Sequence, residues 1–320
     1  MFETKLKNLY QPLADFLTLP SMKKWFRYLF YASLVFLVIA LIRADYLVIP
    51  HIYDPVYLVI SLGFLLAGFL LSGASWAAVL NQAGYRITFG EGITATGLSI
   101  FGKYIPGKIW VIMGRAEYLT GKFPGARKDL ASFSFDAQFI ALWVALLLGT
   151  IGMISIGSIN IYGAGVLILL ILLSLVIYTP LFHRVASFVL SRILNRPVKV
   201  PKLPFLKMPR VLFWYLMNWG AWCMGFYFLA AALIPQTIPL DVSLAFGLAG
   251  SLGILVIFAP GGLGIREGIL TGYLTIVGLD LQDATTIAVA SRLWFLVGEV
   301  FIFLLAMIIN RGKNAYPEAA

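Results

Sequence analysis

Residues Ala137–Phe182 read AQFIALWVALLLGTIGMISIGSINIYGAGVLILLILLSLVIYTPLF, 46 positions without one Asp, Glu, Lys or Arg. A helix rises about 1.5 Å per residue, so about 20 apolar residues cross a ~30 Å hydrocarbon layer. This run therefore holds two crossings, and the turn between them falls at its one polar, glycine-bearing spot, Gly157-Ser158-Ile159-Asn160. The same pattern extends outward, because Pro55–Tyr85 and Val211–Leu240 are also uncharged. The chain of 320 residues is 61% hydrophobic and 12% charged. Soluble domains run near 45–50% and about 25%. The reading is an all-α polytopic membrane protein with six full transmembrane helices, at about 28–45, 56–80, 132–156, 160–181, 211–233 and 284–309.

Two further apolar stretches are broken. Gly92–Tyr118 is interrupted by Lys103-Tyr-Ile-Pro-Gly-Lys108, and Val242–Leu279 by Pro260-Gly-Gly-Leu-Gly-Ile-Arg-Glu267. The breaks resemble one another. Ile105-Pro106-Gly107-Lys108-Ile109 matches Ala259-Pro260-Gly261-Gly262-Leu263, and an Arg and a Glu follow each, Arg115 with Glu117 and Arg266 with Glu267. Spacing agrees as well, with 51 residues from Pro55 to Pro106 and 49 from Val211 to Pro260. The expectation is an inverted repeat, with units of about 55–158 and 211–310, each carrying a Pro-Gly-broken helical hairpin. Each break is either a re-entrant hairpin or a pair of short crossings, since both return the chain to its starting side. Length favours re-entry: Gly268–Leu279 is 12 residues, about 18 Å of helix.

Charge sets the orientation. With both termini cytoplasmic, residues 1–27, 81–131, 182–210 and 311–320 hold 21 of the 24 Lys and Arg residues on the cytoplasmic side. The membrane accounts for the net charge of +10 better than nucleic acid does. The expected organisation is an interfacial segment over 1–24, a single transmembrane domain over 25–310 and a cytoplasmic tail over 311–320. In the first segment Phe2, Leu6, Leu9, Leu13, Phe16 and Leu17 recur at helical spacing. A single cysteine, Cys223, and two distant histidines, His51 and His183, leave little material for disulfides, zinc or a nucleophile–base pair. No catalytic residue, cofactor or metal is expected.

The charges inside apolar sequence need a reason, because each costs roughly 2.5–3.5 kcal/mol at the bilayer centre. Arg266, Glu267, Arg292 and Glu299 lie in or beside the second break and the last crossing, and Lys103, Lys108 and Arg115 border the first. Arg292 and Glu299 are two helical turns apart and share a face. The expected network joins Arg266 or Arg292 to Glu267 or Glu299. These seven residues are the candidate binding set, with arginine suited to phosphate. Alternatively, buried pairs fix the packing and the lysines reach to the interface. Asp136 reads as a helix-end charge, and Trp110, Trp214, Trp219 and Trp294 as interface or packing groups. Pro106, Gly107, Pro260, Gly261, Gly262 and Gly264 are expected to shape the cavity. The glycines are not a Walker loop, for no lysine and hydroxyl follow them.

Pro260-Gly-Gly-Leu-Gly-Ile-Arg-Glu-Gly268, with Lys103-Tyr-Ile-Pro-Gly-Lys-Ile-Trp110 before it, resembles the signature of the lysylphosphatidylglycerol synthase transmembrane region, also called the flippase-like domain family. The resemblance covers about 25–310. It implies lipid handling: in fused members this region precedes an aminoacyl transferase domain and moves the aminoacylated lipid between leaflets, and others stand alone or join glycosyltransferases. With ten residues after Asn310, the expectation is a stand-alone member without the synthase activity. The expected function is translocation of an anionic phospholipid or polyprenyl-phosphate lipid in the plasma or inner membrane. Two alternatives remain: a secondary transporter of a small anion, and a non-transporting partner of a lipid-modifying enzyme or glycosyltransferase.

Overall fold

The structure, a computed structural model, describes residues 50–105, 110–157, 161–194, 200–256 and 260–315. The expected first crossing, the interfacial segment over 1–24 and the residues Pro106, Gly107 and Lys108 lie outside them. The described residues form ten α-helices and no strand. They are α1 (Pro55–Ala83), α2 (Phe89–Ser99), α3 (Trp110–Leu119), α4 (Arg127–Ser155), α5 (Ile161–Tyr178), α6 (Leu181–Leu194), α7 (Met208–Leu233), α8 (Val242–Leu255), α9 (Ile265–Ile276) and α10 (Leu281–Ala315). Four of these, α1, α4, α7 and α10, supply spans long and apolar enough to cross a membrane, and α5 with α6 would make a fifth, bent by 67°. All five expected crossings within the described residues are therefore helices. Segment 182–210, read as a loop, begins instead with α6.

Local chemistry sets the helix ends. Asp54 accepts from the backbone N–H of Val56 at 2.8 Å and of Tyr57 at 3.2 Å, and Pro55 opens α1 without needing a donor. Thr88 and Glu91 close a reciprocal capping box on α2. At α9 the start is Gly264, at φ 80°, and Glu267 accepts from its N–H at 2.7 Å.

α1 and α7 pack along their whole length in opposite directions. Tyr53 N–H donates to Ala232 O, Ser61 Oγ to Gly225 O, Asn218 Nδ2 to Gly68 O and Lys207 Nζ to Gln82 O, so the α7 number falls as the α1 number rises. Among these and the six helices α2, α3, α4, α8, α9 and α10, the other contacts come in matched pairs when α1 is exchanged with α7, α2 with α8, α3 with α9 and α4 with α10. Thus α1 touches α2 as α7 touches α8, α2 touches α10 as α8 touches α4, and α3 touches α4 as α9 touches α10. Glycine lets the backbones close up at these crossings. A Cβ on Gly97 would lie 2.3 Å from Ile302 O, and one on Gly149 2.7 Å from Leu248 Cα.

The bundle has two chemically different ends. At one, residues 50–54, 156–157, 234–241 and 277–283 carry Asp54, Asp241, Asp280 and Asp283 and no Lys or Arg. Ser155 Oγ donates to Asp241, and Gln236 to Asp283, which ties that end together. At the other, Arg86, Lys122, Arg127, Lys128, Lys202, Lys207 and Arg210 gather. There Lys122 pairs with Glu91, and Ser132 Oγ donates to Pro201 O.

Candidate functional site

The site is built where the two broken stretches meet. α2 enters from the basic end and tightens into a 3-10 turn, Ile100–Tyr104. α8 enters from the acidic end, and its chain turns through Pro260–Gly262, with Gly261 at φ 60° and Gly262 at φ 72°. A side chain at Gly261 would fall 2.5 Å from the Tyr104 ring, so the second break passes over the first as only glycine allows. α9 then returns, and Tyr273 donates its hydroxyl to Asp241 O at the start of α8, at 3.2 Å.

α10 runs past both breaks and holds each with one charged residue. Arg292 NH1 donates to Gly261 O at 2.9 Å and stands 3.6 Å from Glu267 Oε1. Glu299 accepts from Tyr104 Oη at 2.8 Å and pairs with Lys103 Nζ. Arg292 lies 11 residues after Leu281, about 16 Å along the helix. Glu299 lies 12 residues before Arg311, about 18 Å from the basic end. The two clamps thus sit at similar depths from opposite ends.

Arg266 is different. It is buried, no carboxylate of the described residues lies within ion-pair distance, and its guanidinium carbon lies 4.5 Å from the Phe246 ring centroid and 4.9 Å from that of Phe295. The aromatic faces stabilise the cation, but its Nε and NH2 are buried without a hydrogen-bond partner. It faces a cavity of about 390 Å³, within the roughly 300–1,000 Å³ range of small-molecule sites. Lys103 and Arg115 also line the cavity, and Arg115 Nε is likewise buried and unpartnered. The rest of the wall is mainly apolar and aromatic, with Trp219, Trp222, Phe69, Phe246 and Phe295. Gln138, Ser72, Asn218 and Tyr215 supply polar points. No Asp or Glu is among the described residues that line it.

The Lysylphosphatidylglycerol synthase TM region family matches residues 24–305. The chain belongs to this family. Membership of the Lysylphosphatidylglycerol synthase TM region points to a lipid-related function in the membrane, in keeping with the apolar helices. No individually curated protein matches the chain.

Of the seven candidate binding residues, Lys103, Arg115 and Arg266 reach the cavity, whereas Arg292, Glu267 and Glu299 stand behind it as clamps on the breaks. Lys108 falls outside the described residues. Gly261 lines the cavity, and Gly262 and Gly264 form the turn. Of the expected pairings the structure shows Arg292 with Glu267, while Glu299 takes the lysine of the other break. Glu117, matched in sequence to Glu267, instead pairs with Arg127 at the exposed basic end, 2.9 Å away. Asp136 is no helix-end charge. It is buried, accepts from Leu203 N–H at 3.0 Å and meets His183 Nε2 at 2.9 Å. The sequence reading missed Tyr104, Tyr215 and Trp222, and it took Trp219 for packing. Tyr104 was visible inside its motif. The others lie on a helix whose apolar pattern gives no sign of the face they share.

Proposed function

We propose that this protein binds and translocates a lipid with an anionic phosphate headgroup. One observation carries the reading: three cationic side chains line a largely apolar cavity, and Nε of Arg115 and Nε and NH2 of Arg266 are buried with no hydrogen-bond partner among the described residues. An unpaired buried charge is costly, so a ligand oxyanion is the natural complement. Arginine offers the planar fork that matches phosphate. A cavity of this size takes a headgroup and leaves acyl chains outside it. Leu255, on the cavity wall, is 37% exposed, and an apolar side chain open at the site suits an acyl chain better than a small soluble anion.

The arrangement we favour is an inverted repeat of two re-entrant hairpins. The antiparallel α1 and α7, the matched contacts and the two clamps at similar depths support it. The basic end faces the cytoplasm by the positive-inside rule, which puts both termini there, in a plasma or inner membrane. The role is transport rather than catalysis.

Reconstituted vesicles with fluorescent phosphatidylglycerol test the reading. The wild type speeds exchange between leaflets, and Arg266→Ala lowers that rate at least tenfold while the variant stays folded. Equal rates for the two proteins would remove Arg266 from the pathway. Uptake of a soluble organophosphate without lipid exchange would establish a small-anion transporter instead.

A further inference from the structure

The helix α6 is amphipathic the wrong way round for a helix bathed in water. Its inner side is polar and tied down. His183 Nε2 meets Asp136 Oδ1 at 2.9 Å, and Ser187 Oγ accepts from Val200 N–H at 3.0 Å. His183 and Ser187 are four residues apart and share that side. The segment beyond is fastened to α4 in turn, since Asp136 Oδ2 accepts from Leu203 N–H and Ser132 Oγ donates to Pro201 O. The outer side carries Leu181, Val185, Phe188 and Val189, each between 45% and 63% exposed. Such a face is unfavourable in water and favourable at the boundary of headgroups and acyl chains. Two exposed arginines accompany it, Arg184 and Arg192, and the Arg192 guanidinium carbon lies 5.4 Å from the Phe188 ring centroid.

We infer that the outer face of α6 docks on the leaflet at the basic end, and that Arg184 and Arg192 hold anionic phospholipid headgroups there, beside the cavity wall. Three observations choose this occupant. The apolar face continues that of α5, whose Ile171, Leu172 and Leu175 are exposed on a helix apolar enough to span in part. The 67° bend then turns α6 away from the direction of α5. Residues 181–210 carry seven Lys and Arg and no Asp or Glu, which complements an anionic surface. The place matters because the Phe182 ring stands 4.8 Å from that of Phe139 and 6.3 Å from that of Phe135, and both of these line the cavity. Anionic lipid gathered by α6 is therefore concentrated at the side of the cavity. That last consequence rests on the translocation reading above, whereas the docking does not.

The test uses the full chain in nanodiscs of phosphatidylcholine and phosphatidylglycerol. In a Cys223→Ser background, Val185→Cys carries an environment-sensitive fluorophore. Spin-labelled lipid quenches it and aqueous iodide does not. Spin-labelled phosphatidylglycerol quenches about threefold more than spin-labelled phosphatidylcholine at the same mole fraction, and Arg184→Gln with Arg192→Gln brings that ratio to about one. Quenching by iodide alone would place the face in water and overturn the inference. Protection from both quenchers, with crosslinked dimers, would mean that a second copy covers the face and would overturn it too. Equal quenching by the two lipids in the unaltered arginine background would remove the headgroup site. In leaflet exchange of fluorescent phosphatidylglycerol, the double Gln variant needs about a threefold higher lipid fraction for half-maximal rate and keeps the plateau. A lower plateau with the half-maximal fraction unchanged would overturn the gathering role. No exchange by any form of the protein would sink the translocation reading, and the quenching ratio would still decide the docking.

Discussion

At the scale of single residues, Glu299 connects the first break to the last helix. Its two oxygens are used separately, one by Lys103 and one by the Tyr104 hydroxyl, and the side chain is almost wholly buried. Glu299→Ala would leave Lys103 among Phe295, Arg266 and Arg292 without an anion, the situation that costs about 3–5 kcal/mol when one partner of a buried pair is lost. Tyr104→Phe removes one neutral donor and costs about 1–3 kcal/mol. Melting in detergent is expected to rank wild type, Tyr104→Phe and Glu299→Ala in falling order, and a Glu299→Ala protein as stable as Tyr104→Phe would show that the ion pair does not hold the break. The sequence made Glu299 conspicuous, as a charge in apolar surroundings, but could not name its partner. Lys103 lies 196 residues away, and helical periodicity says which residues share a face but not which other helix that face meets. For the same reason the expected pairing stayed open between Arg266 and Arg292 and between Glu267 and Glu299, and only the structure pairs Arg292 with Glu267.

At the scale of helices, apolar runs made most of the spans legible, because a 46-residue uncharged stretch has few other uses. Crossing geometry was less visible, since a glycine at a tight contact and a glycine facing open space look alike in sequence. The structure separates them. Gly97 on α2 has Ile302 O and Ala306 Cβ where its Cβ would go, at 2.3 and 2.5 Å, while Gly63 on α1 and Gly165 on α5 have nothing within 4 Å. Gly97→Ala forces α2 from α10 and is expected to cost about 1–3 kcal/mol. Gly63→Ala and Gly165→Ala meet no obstacle and gain up to about 1 kcal/mol of helix propensity. Melting temperatures should move in opposite directions, and a Gly97→Ala protein at wild-type stability would mean that the α2–α10 contact yields. α6 escaped notice for a related reason. Its exposed Leu181, Val185, Phe188 and Val189 recur at helical spacing beside Arg184 and Arg192, a mixture that reads as a basic loop until the helix is seen. Such a helix, bent 67° from α5, suits the membrane interface.

At the scale of the whole molecule, what separates a re-entrant hairpin from two short crossings is the depth of the break. Were α8 and α9 both full crossings, residues 260–264 would emerge at the basic end beside Arg86 and Lys207. Instead Gly261 O is bound by Arg292, about 16 Å along α10 from the acidic end, and Gly261 packs on Tyr104 of the opposite break. α10 is itself long enough to span, so it serves as an internal ruler for that depth. The prediction concerns which face of the membrane reaches the second break. In a Cys223→Ser background, Asp241→Cys and Asp280→Cys should both react with an impermeant thiol reagent added outside, and Lys128→Cys only with reagent added inside. Leu263→Cys, in the break, should react from the outside or from neither side. Labelling of Leu263→Cys from the inside alone would mean that the chain crosses the bilayer between Asp241 and Leu263. The two clamps on α10 could not then hold breaks that approach one another from opposite faces, and the twofold relation between the halves would have to be given up with them.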